Sequence, residues 1–252
     1  MLATERCLKS ACTACMRLCV IILAATLVFP AAARAQRSTQ LTLDFGLVDA
    51  SGNTNVRTFN VGEKLGRGLG GWVLKQTAQI LYGETDGKRT SESYDIVARG
   101  GYQLTARIGA FVLGEYQRDP FAGLASRWSG GPGLGIGLVQ QSRDTLAVES
   151  AITEQKERSV AGVDQSFAAT RSAANFKHLF ARKGAFFTET LEWIANLKTS
   201  DDQRINSETA LTAPLSRQVA LRASYLIRFD NQPEPGFKKT DRILTTGVQI
   251  AL

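Results

Sequence analysis

Past position 35 the 252-residue chain contains no cysteine. That stretch therefore has no disulfide, no thiolate nucleophile and no cysteine-held metal. All four cysteines, Cys7, Cys12, Cys15 and Cys19, lie near the N-terminus. Cys12-x-x-Cys15 has redox or zinc spacing, but no second ligand pair accompanies it. None of the four has the small-residue context of lipoprotein processing. Histidine is nearly missing too, with His178 alone. Proline is scarce, at 6 residues, while hydrophobic residues make up 44% and aromatics recur throughout, which excludes a disordered or collagen-like chain. Also lacking, beyond position 35, is any run of about 18 apolar residues, so no transmembrane helix is expected.

What stands at the N-terminus explains the cysteines. Arg6, Lys9 and Arg17 form a positive head, Leu18 to Phe29 carries no charge, and Pro30 precedes Ala33-Arg34-Ala35. This is the plan of a signal peptide cut after Ala35, with small residues at Ala33 and Ala35. The apolar run is too short to anchor stably across a hydrocarbon core of roughly 30 Å. Either Met1 or Met16 serves as its start. Cleavage of 1–35 removes four basic residues and one acid, leaving 26 against 22 and a net charge of +4 from the original 30 and 23. That modest excess, with no lysine-rich run, gives no footprint for nucleic acid.

Beyond the cut, apolar and polar residues alternate with a period of two, the signature of strands with one apolar face. Leu41, Leu43, Phe45 and Leu47 oppose Thr42, Asp44 and Gly46. Trp72, Leu74, Ala78, Ile80 and Tyr82 oppose Lys75, Thr77 and Gln79. Tyr94, Ile96, Ala98 and Tyr102 oppose Asp95 and Arg99; Ile108, Ala110, Val112 and Tyr116 oppose Glu115 and Gln117. Trp128, Leu134, Ile136 and Leu138 oppose a row of glycines, Gly131, Gly133, Gly135 and Gly137. Such a row weakens an ordinary strand, and suits a wall that bends or must make room for large side chains. Leu146, Val148 and Ile152 oppose Glu149, while Ser166 to Phe180 is poorly patterned. Phe187, Leu191 and Trp193 oppose Glu192, Leu211 opposes Glu208, and Val219 to Phe229 alternates against Arg222, Ser224 and Arg228. Leu244 to Leu252 is the last segment. The expectation is an all-β chain: a transmembrane antiparallel up-and-down β-barrel of about twelve strands over 36–252.

Three features favour a membrane barrel over a soluble one, whose apolar face would point inward. Tyr82, Tyr94, Tyr116, Trp128 and Phe229 fall at one set of strand ends and Trp72, Tyr102 and Phe187 at the other, matching two lipid interfaces. The polar face carries both charge signs at strand centres. Thr245-x-Gly247-x-x-Ile250-x-Leu252 resembles the terminal pattern read by the barrel assembly machinery, with Leu252 in place of the usual Phe. The connections also divide into a tight set and a longer polar set. The long ones are expected at Glu84–Ser93, Asp119–Ser126, Glu154–Gln165, Thr199–Arg204 and Asn231–Lys239. Short periplasmic turns and longer outer loops are the habit of outer-membrane barrels, and an even strand count puts both termini in the periplasm.

Several blocks carry a further resemblance: Ser51-Gly-Asn-Thr-Asn55, Tyr82 to Arg89, Tyr94-Asp95, Tyr116 to Gly123, and most specifically Tyr225 to Asp241. On these residues the chain resembles the YdiY-like salt-induced outer-membrane proteins, a family largely of unknown function. The resemblance implies an outer-membrane barrel in a Gram-negative bacterium with a role tied to salt or osmotic conditions, and brings no catalytic residues.

No enzyme, cofactor or metal site is expected. Outer-membrane phospholipases need a Ser–His pair and barrel proteases an Asp–His pair, both at the outer surface, whereas His178 falls near a periplasmic turn. Lys75, Asp95, Arg99, Glu115, Glu149, Glu192, Glu208, Arg222 and Arg228 are the candidates for lining the lumen. Paired charges there either fill a closed, structural barrel or line a small passive channel for solutes or ions. The loops Glu84–Arg89 and Pro233–Lys239 read either as solvated hairpin tips or as contacts for lipopolysaccharide or a surface partner. Outer-membrane lipid is the expected surrounding.

Overall fold

The structure, a computed structural model, describes residues 39–50, 56–180 and 184–252. The expected signal peptide at 1–35, with Ala33 and Ala35, lies outside these residues, as do 51–55. Among the described residues twelve antiparallel strands close into one barrel. They are β1 (Thr39–Ala50), β2 (Val56–Leu69), β3 (Trp72–Thr85), β4 (Lys88–Gln103), β5 (Ile108–Asp119) and β6 (Leu124–Gln140). The second half comprises β7 (Asp144–Ser159), β8 (Asp164–Leu179), β9 (Phe186–Asn196), β10 (Gln203–Pro214), β11 (Val219–Asp230) and β12 (Thr240–Ala251). Each strand pairs with its sequence neighbours, and β1 closes on β12, so the topology is up-and-down.

Closure follows from backbone chemistry, because an unpaired edge in hydrocarbon leaves N–H and C=O groups without partners. At the seam Leu43 pairs with Ile250 and Phe45 with Val248. The Leu252 amide donates to the Leu41 carbonyl at 2.9 Å. Gly247 permits this approach: a Cβ there would run into the backbone of Phe45 and Gly46. Inside the seam, the Gln249 side-chain amide donates to Asp44 at 2.8 Å, and that of Asn60 to Thr245 at 3.1 Å.

The alternation sorts side chains between the two surfaces. Val112, Trp128, Leu134, Ile152 and Leu244 are all exposed on the outside, whereas Asn60, Glu115, Thr153, Gln155 and Arg204 are buried within. This is the inverse of a soluble barrel and the arrangement that lipid demands. Trp72 meets Tyr102 at 5.2 Å between ring centroids near the rim where β1 begins and β12 ends, here the terminal rim. Tyr116 meets Trp128 at 4.7 Å toward the opposite, far rim. The carboxylate of Glu189 stands on the outward row opposite Thr209, and accepts hydrogen bonds from the hydroxyls of Ser207, at 2.8 Å, and Thr209.

The connections correct the expected contrast in loop lengths. Glu84–Ser93 is mostly ladder: β3 and β4 are joined by Asp86-Gly87 alone, with φ of 50° and 74°. Positive φ at both positions is the type I′ geometry that matches strand twist. Asp119–Ser126 contains a short 3₁₀ turn, Pro120–Ala122, closed by Gly123 with φ of 87°. Glu154–Gln165 shrinks to the four residues 160–163 between β7 and β8. The longer far-rim connections in the described residues are 197–202 and 231–239. Strands that run past the apolar band carry polar residues on both faces, so hydropathy reads them as loops although their ladder bonds continue.

The poorly patterned stretch is a full strand, β8. Its outward row is Ser166, Ala168, Thr170, Ser172, Ala174, Phe176 and His178, and its inward row includes Phe167, Ala169, Arg171, Ala173 and Asn175. Small residues on both sides cancel the hydropathy contrast.

Candidate functional site

The interior is built from the inward rows. Lys75 pairs across the ladder with Arg99, and Gln79 with Asp95. Glu115 sits opposite Ser129, Glu149 opposite Gly135, and Arg222 opposite Thr212 and Gly247. Glu192, Glu208 and Arg228 occupy the inward rows of β9, β10 and β11. All nine residues thus share the inner surface and line its two larger cavities. Glu149 lines the smaller one.

Tertiary structure pairs them across the lumen. Arg99 donates to Glu149 at 2.5 Å, and its guanidinium lies 3.7 Å from the centroid of the Phe111 ring. Arg171 bridges Glu115, at 2.7 Å, and Glu192. Arg222 meets Glu208 at 2.5 Å and Asp44 at 4.0 Å. Arg228 reaches Asp119 at 3.4 Å and Asp95 at 3.7 Å. Nearer the far rim Glu157 takes Arg127 at 2.7 Å and Arg204 at 3.1 Å, and Arg204 also faces Asp202 and Asp230. Charges this enclosed are held by close geometry, since removing either partner strands the other.

Arg171, Arg127, Glu157, Arg204, Asp44, Asp119, Asp202 and Asp230 are interior charges that the candidate set omits. Arg171 lies in the unpatterned β8, and most of the others lie where the strands outrun the apolar band. Carrying the two-residue parity through those polar ends would have found them. Hydrophobic residues also face inward: Phe111 and Leu113 pack with Ala151, and Phe167 is buried above them.

The remaining space forms cavities in series. A chamber of about 230 Å³ near the terminal rim is lined by Lys75, Arg99, Gln103, Arg107, Gln140 and Glu149. The central cavity, about 310 Å³, is lined by Asp95, Glu115, Arg171, Glu192, Glu208, Arg222 and Arg228, among others. Along β5, Phe111 and Leu113 fall between the two sets, and Arg99, at the edge of the smaller chamber, lies on the Phe111 ring. A third space of about 80 Å³ lies by Arg127, Glu157, Arg204 and Glu234.

The loop 231–239 folds over the far mouth. Glu234 and Phe237 stand about 3.1 Å from where a Gly123 Cβ would be, so the β11–β12 loop meets the β5–β6 turn. Asn231 donates to the Asp201 carbonyl at 2.9 Å, and Lys239 to Asn231 at 3.1 Å. This segment is therefore a cover, where the sequence suggested a projecting tip.

His178 lies on the outward row of β8, its Nδ1 2.7 Å from Asp144 and its ring 5.0 Å from that of Phe180. It is on the opposite side of the wall from the cavities.

A family model described as "Protein of unknown function, DUF481" matches residues 43–251. No curated protein matches the chain. Among solved structures, the NanC porin superposes with a TM-score of 0.51 at 7% identity, covering 84% of this chain and 97% of that one. The KdgM porin gives 0.45 at 10% identity, over 84% and 98%. The translocator domain of the autotransporter NalP from Neisseria meningitidis gives 0.42 at 12%, over 96% and 97%. At such identities the NanC likeness is one of fold: a porin-like closed barrel.

Proposed function

The chain belongs to DUF481, a family of proteins of unknown function, and on that premise we propose that it is a non-enzymatic outer-membrane barrel forming a narrow passage for small solutes or ions. The observation that carries this reading is the pair of charge-lined cavities, about 310 and 230 Å³, inside a wall whose outer surface is apolar. A polar lumen behind a lipid-facing exterior is what passive permeation needs.

Lys75, Asp95, Arg99, Glu115, Glu149, Glu192, Glu208, Arg222 and Arg228 are the proposed lining of that path. Export by the segment 1–35, cut after Ala35, belongs to the same proposal, as does assembly through the last strand. The terminal rim then faces the periplasm and the far rim the outside, where lipopolysaccharide or a partner meets the loops. The YdiY-like resemblance rests on the blocks 51–55, 82–89, 94–95, 116–123 and, most specifically, Tyr225–Asp241, and the link to salt rests on that resemblance alone.

A second reading, a closed structural barrel, is favoured by the residues between the cavities. Arg99 held on Phe111 and Glu149, with the Glu115–Arg171–Glu192 bridge beyond it, narrows the lumen there.

Conductance of the refolded barrel in planar bilayers decides between the two. Unitary currents support the passage; their absence leaves the closed barrel. If currents appear, Arg222→Glu and Arg228→Glu should shift selectivity toward cations, and unchanged selectivity would remove both residues from the path.

A further inference from the structure

The chamber by the terminal rim differs from the rest of the interior in its charge balance. Its charged lining is Lys75, Arg99, Arg107 and the single carboxylate Glu149. Glu149 is taken by Arg99 at 2.5 Å. Among the described residues neither Lys75 nor Arg107 has a carboxylate within ion-pair distance, although Arg171, Arg204, Arg222 and Arg228 elsewhere in the lumen each have at least two. Lys75 also stands directly across the ladder from Arg99, a like-charge register that is unfavourable by itself.

The space is built by missing side chains. Gly101, Gly109, Gly135 and Gly137, on three adjacent strands, line this chamber. The glycine row of β6 thus leaves room along the wall facing the cations, into which the side chains of Gln140, over Gly137, and Glu149, over Gly135, fold. Arg107 is held in place by its own turn. Gln103 donates to the carbonyls of Thr105 at 2.7 Å and Ile108 at 3.3 Å, and Gln140 to that of Ala106 at 3.3 Å. The Thr105 hydroxyl accepts from the amides of Arg107, at 3.2 Å, and Ile108, at 3.0 Å, while the Gly137 amide donates to the Arg107 carbonyl at 2.8 Å.

We propose that this chamber is a binding site for a compact multivalent oxyanion, of which phosphate is the simplest, held by Lys75, Arg99 and Arg107. Such a ligand supplies the negative charge that the Lys75–Arg99 register lacks. A monovalent anion neutralises less of it, because the excess is two positive charges within one partly enclosed space. The site belongs to the solvent-filled interior, so the ligand is a soluble anion.

Calorimetric titration of the refolded full barrel with inorganic phosphate, at low and constant ionic strength with chloride as the comparison anion, tests this. One saturable phosphate site is expected, weakened roughly tenfold or more in Lys75→Gln and in Arg107→Gln, and unchanged in Lys156→Gln on the outer surface. No saturable heat with the wild type overturns the proposal, as does equal binding by all three variants. Should a variant fail to fold, saturable broadening of the phosphate phosphorus resonance by wild-type barrel, unrelieved by equimolar chloride, supports the site; relief by chloride overturns it. Binding is read without current, so a barrel that does not conduct leaves this result separate.

Discussion

Phe237 lies against Gly123: its ring carbons stand 3.1 and 3.2 Å from where a Cβ on that glycine would be. The two belong to connections on opposite sides of the ring, β11–β12 and β5–β6. Together they bring a loop across the far mouth. Shortening the loop by deleting 232–238 should leave a folded barrel, judged by heat-modifiable gel migration, because every ladder remains intact. Its conductance should rise. An unfolded product would make the loop part of the framework instead.

Gly123→Val tests the same contact without deletion. The residue has φ of 87°, which a β-branched side chain adopts at a cost of about 1–3 kcal/mol, and its Cβ would press on Glu234 and Phe237. Protease cutting in 231–239 of the folded barrel should become faster, with barrel migration on gels unchanged.

Arg171 holds two carboxylates, Glu115 and Glu192, in the middle of the wall. Arg171→Met strands both, and should lower unfolding stability in vesicles by about 3–5 kcal/mol, the usual cost of breaking an enclosed pair. Adding Glu115→Gln and Glu192→Gln should restore much of the loss. A triple variant no more stable than the single one would show that the arginine acts through packing.

Gly133 lies beneath the Phe111 ring, with the Ser150 carbonyl of β7 close by. Gly133→Ala should destabilise the barrel by about 1–3 kcal/mol through overpacking. Removing the ring with Phe111→Leu should recover part of that loss, measured by the same denaturant midpoint. Any remainder belongs to the close approach of β7.

Val112 faces outward and is 60% exposed, next to Phe111, which faces in. Val112→Arg should cost about 2–4 kcal/mol in a bilayer and much less in detergent, which yields more easily around a charge. Equal loss in both media would mean that Val112 does not face lipid.

The two-residue period makes this fold readable without coordinates. Trp128, Leu134 and Ile136 against Gly131, Gly133 and Gly135 already state which row meets lipid, because a strand has only two faces. The same logic places Arg222 and Arg228 on one row. It fails at Arg171, where alanines and serines occupy both rows of β8 and no contrast exists. It fails again at Arg127, Glu157 and Arg204, where both faces are polar. The same cause hides the loop lengths, since Lys88 to Ser93 is ladder although its residues are those of a loop.

Alternation, aromatic bands and the want of cysteine past position 35 determined, by sequence alone, an all-β chain with an apolar outside and a charged inside. Those properties are local, written every second residue. Which charges meet is decided only in three dimensions: Arg171 and Glu115 are 56 positions apart, and Arg228 and Asp119 are 109 apart. The turn from Gln103 to Ile108 likewise becomes one wall of a cationic chamber only when the glycines of β6 come beside it. Closure of the ring sets these distances, and no pattern along one strand encodes the strands it will face across the lumen.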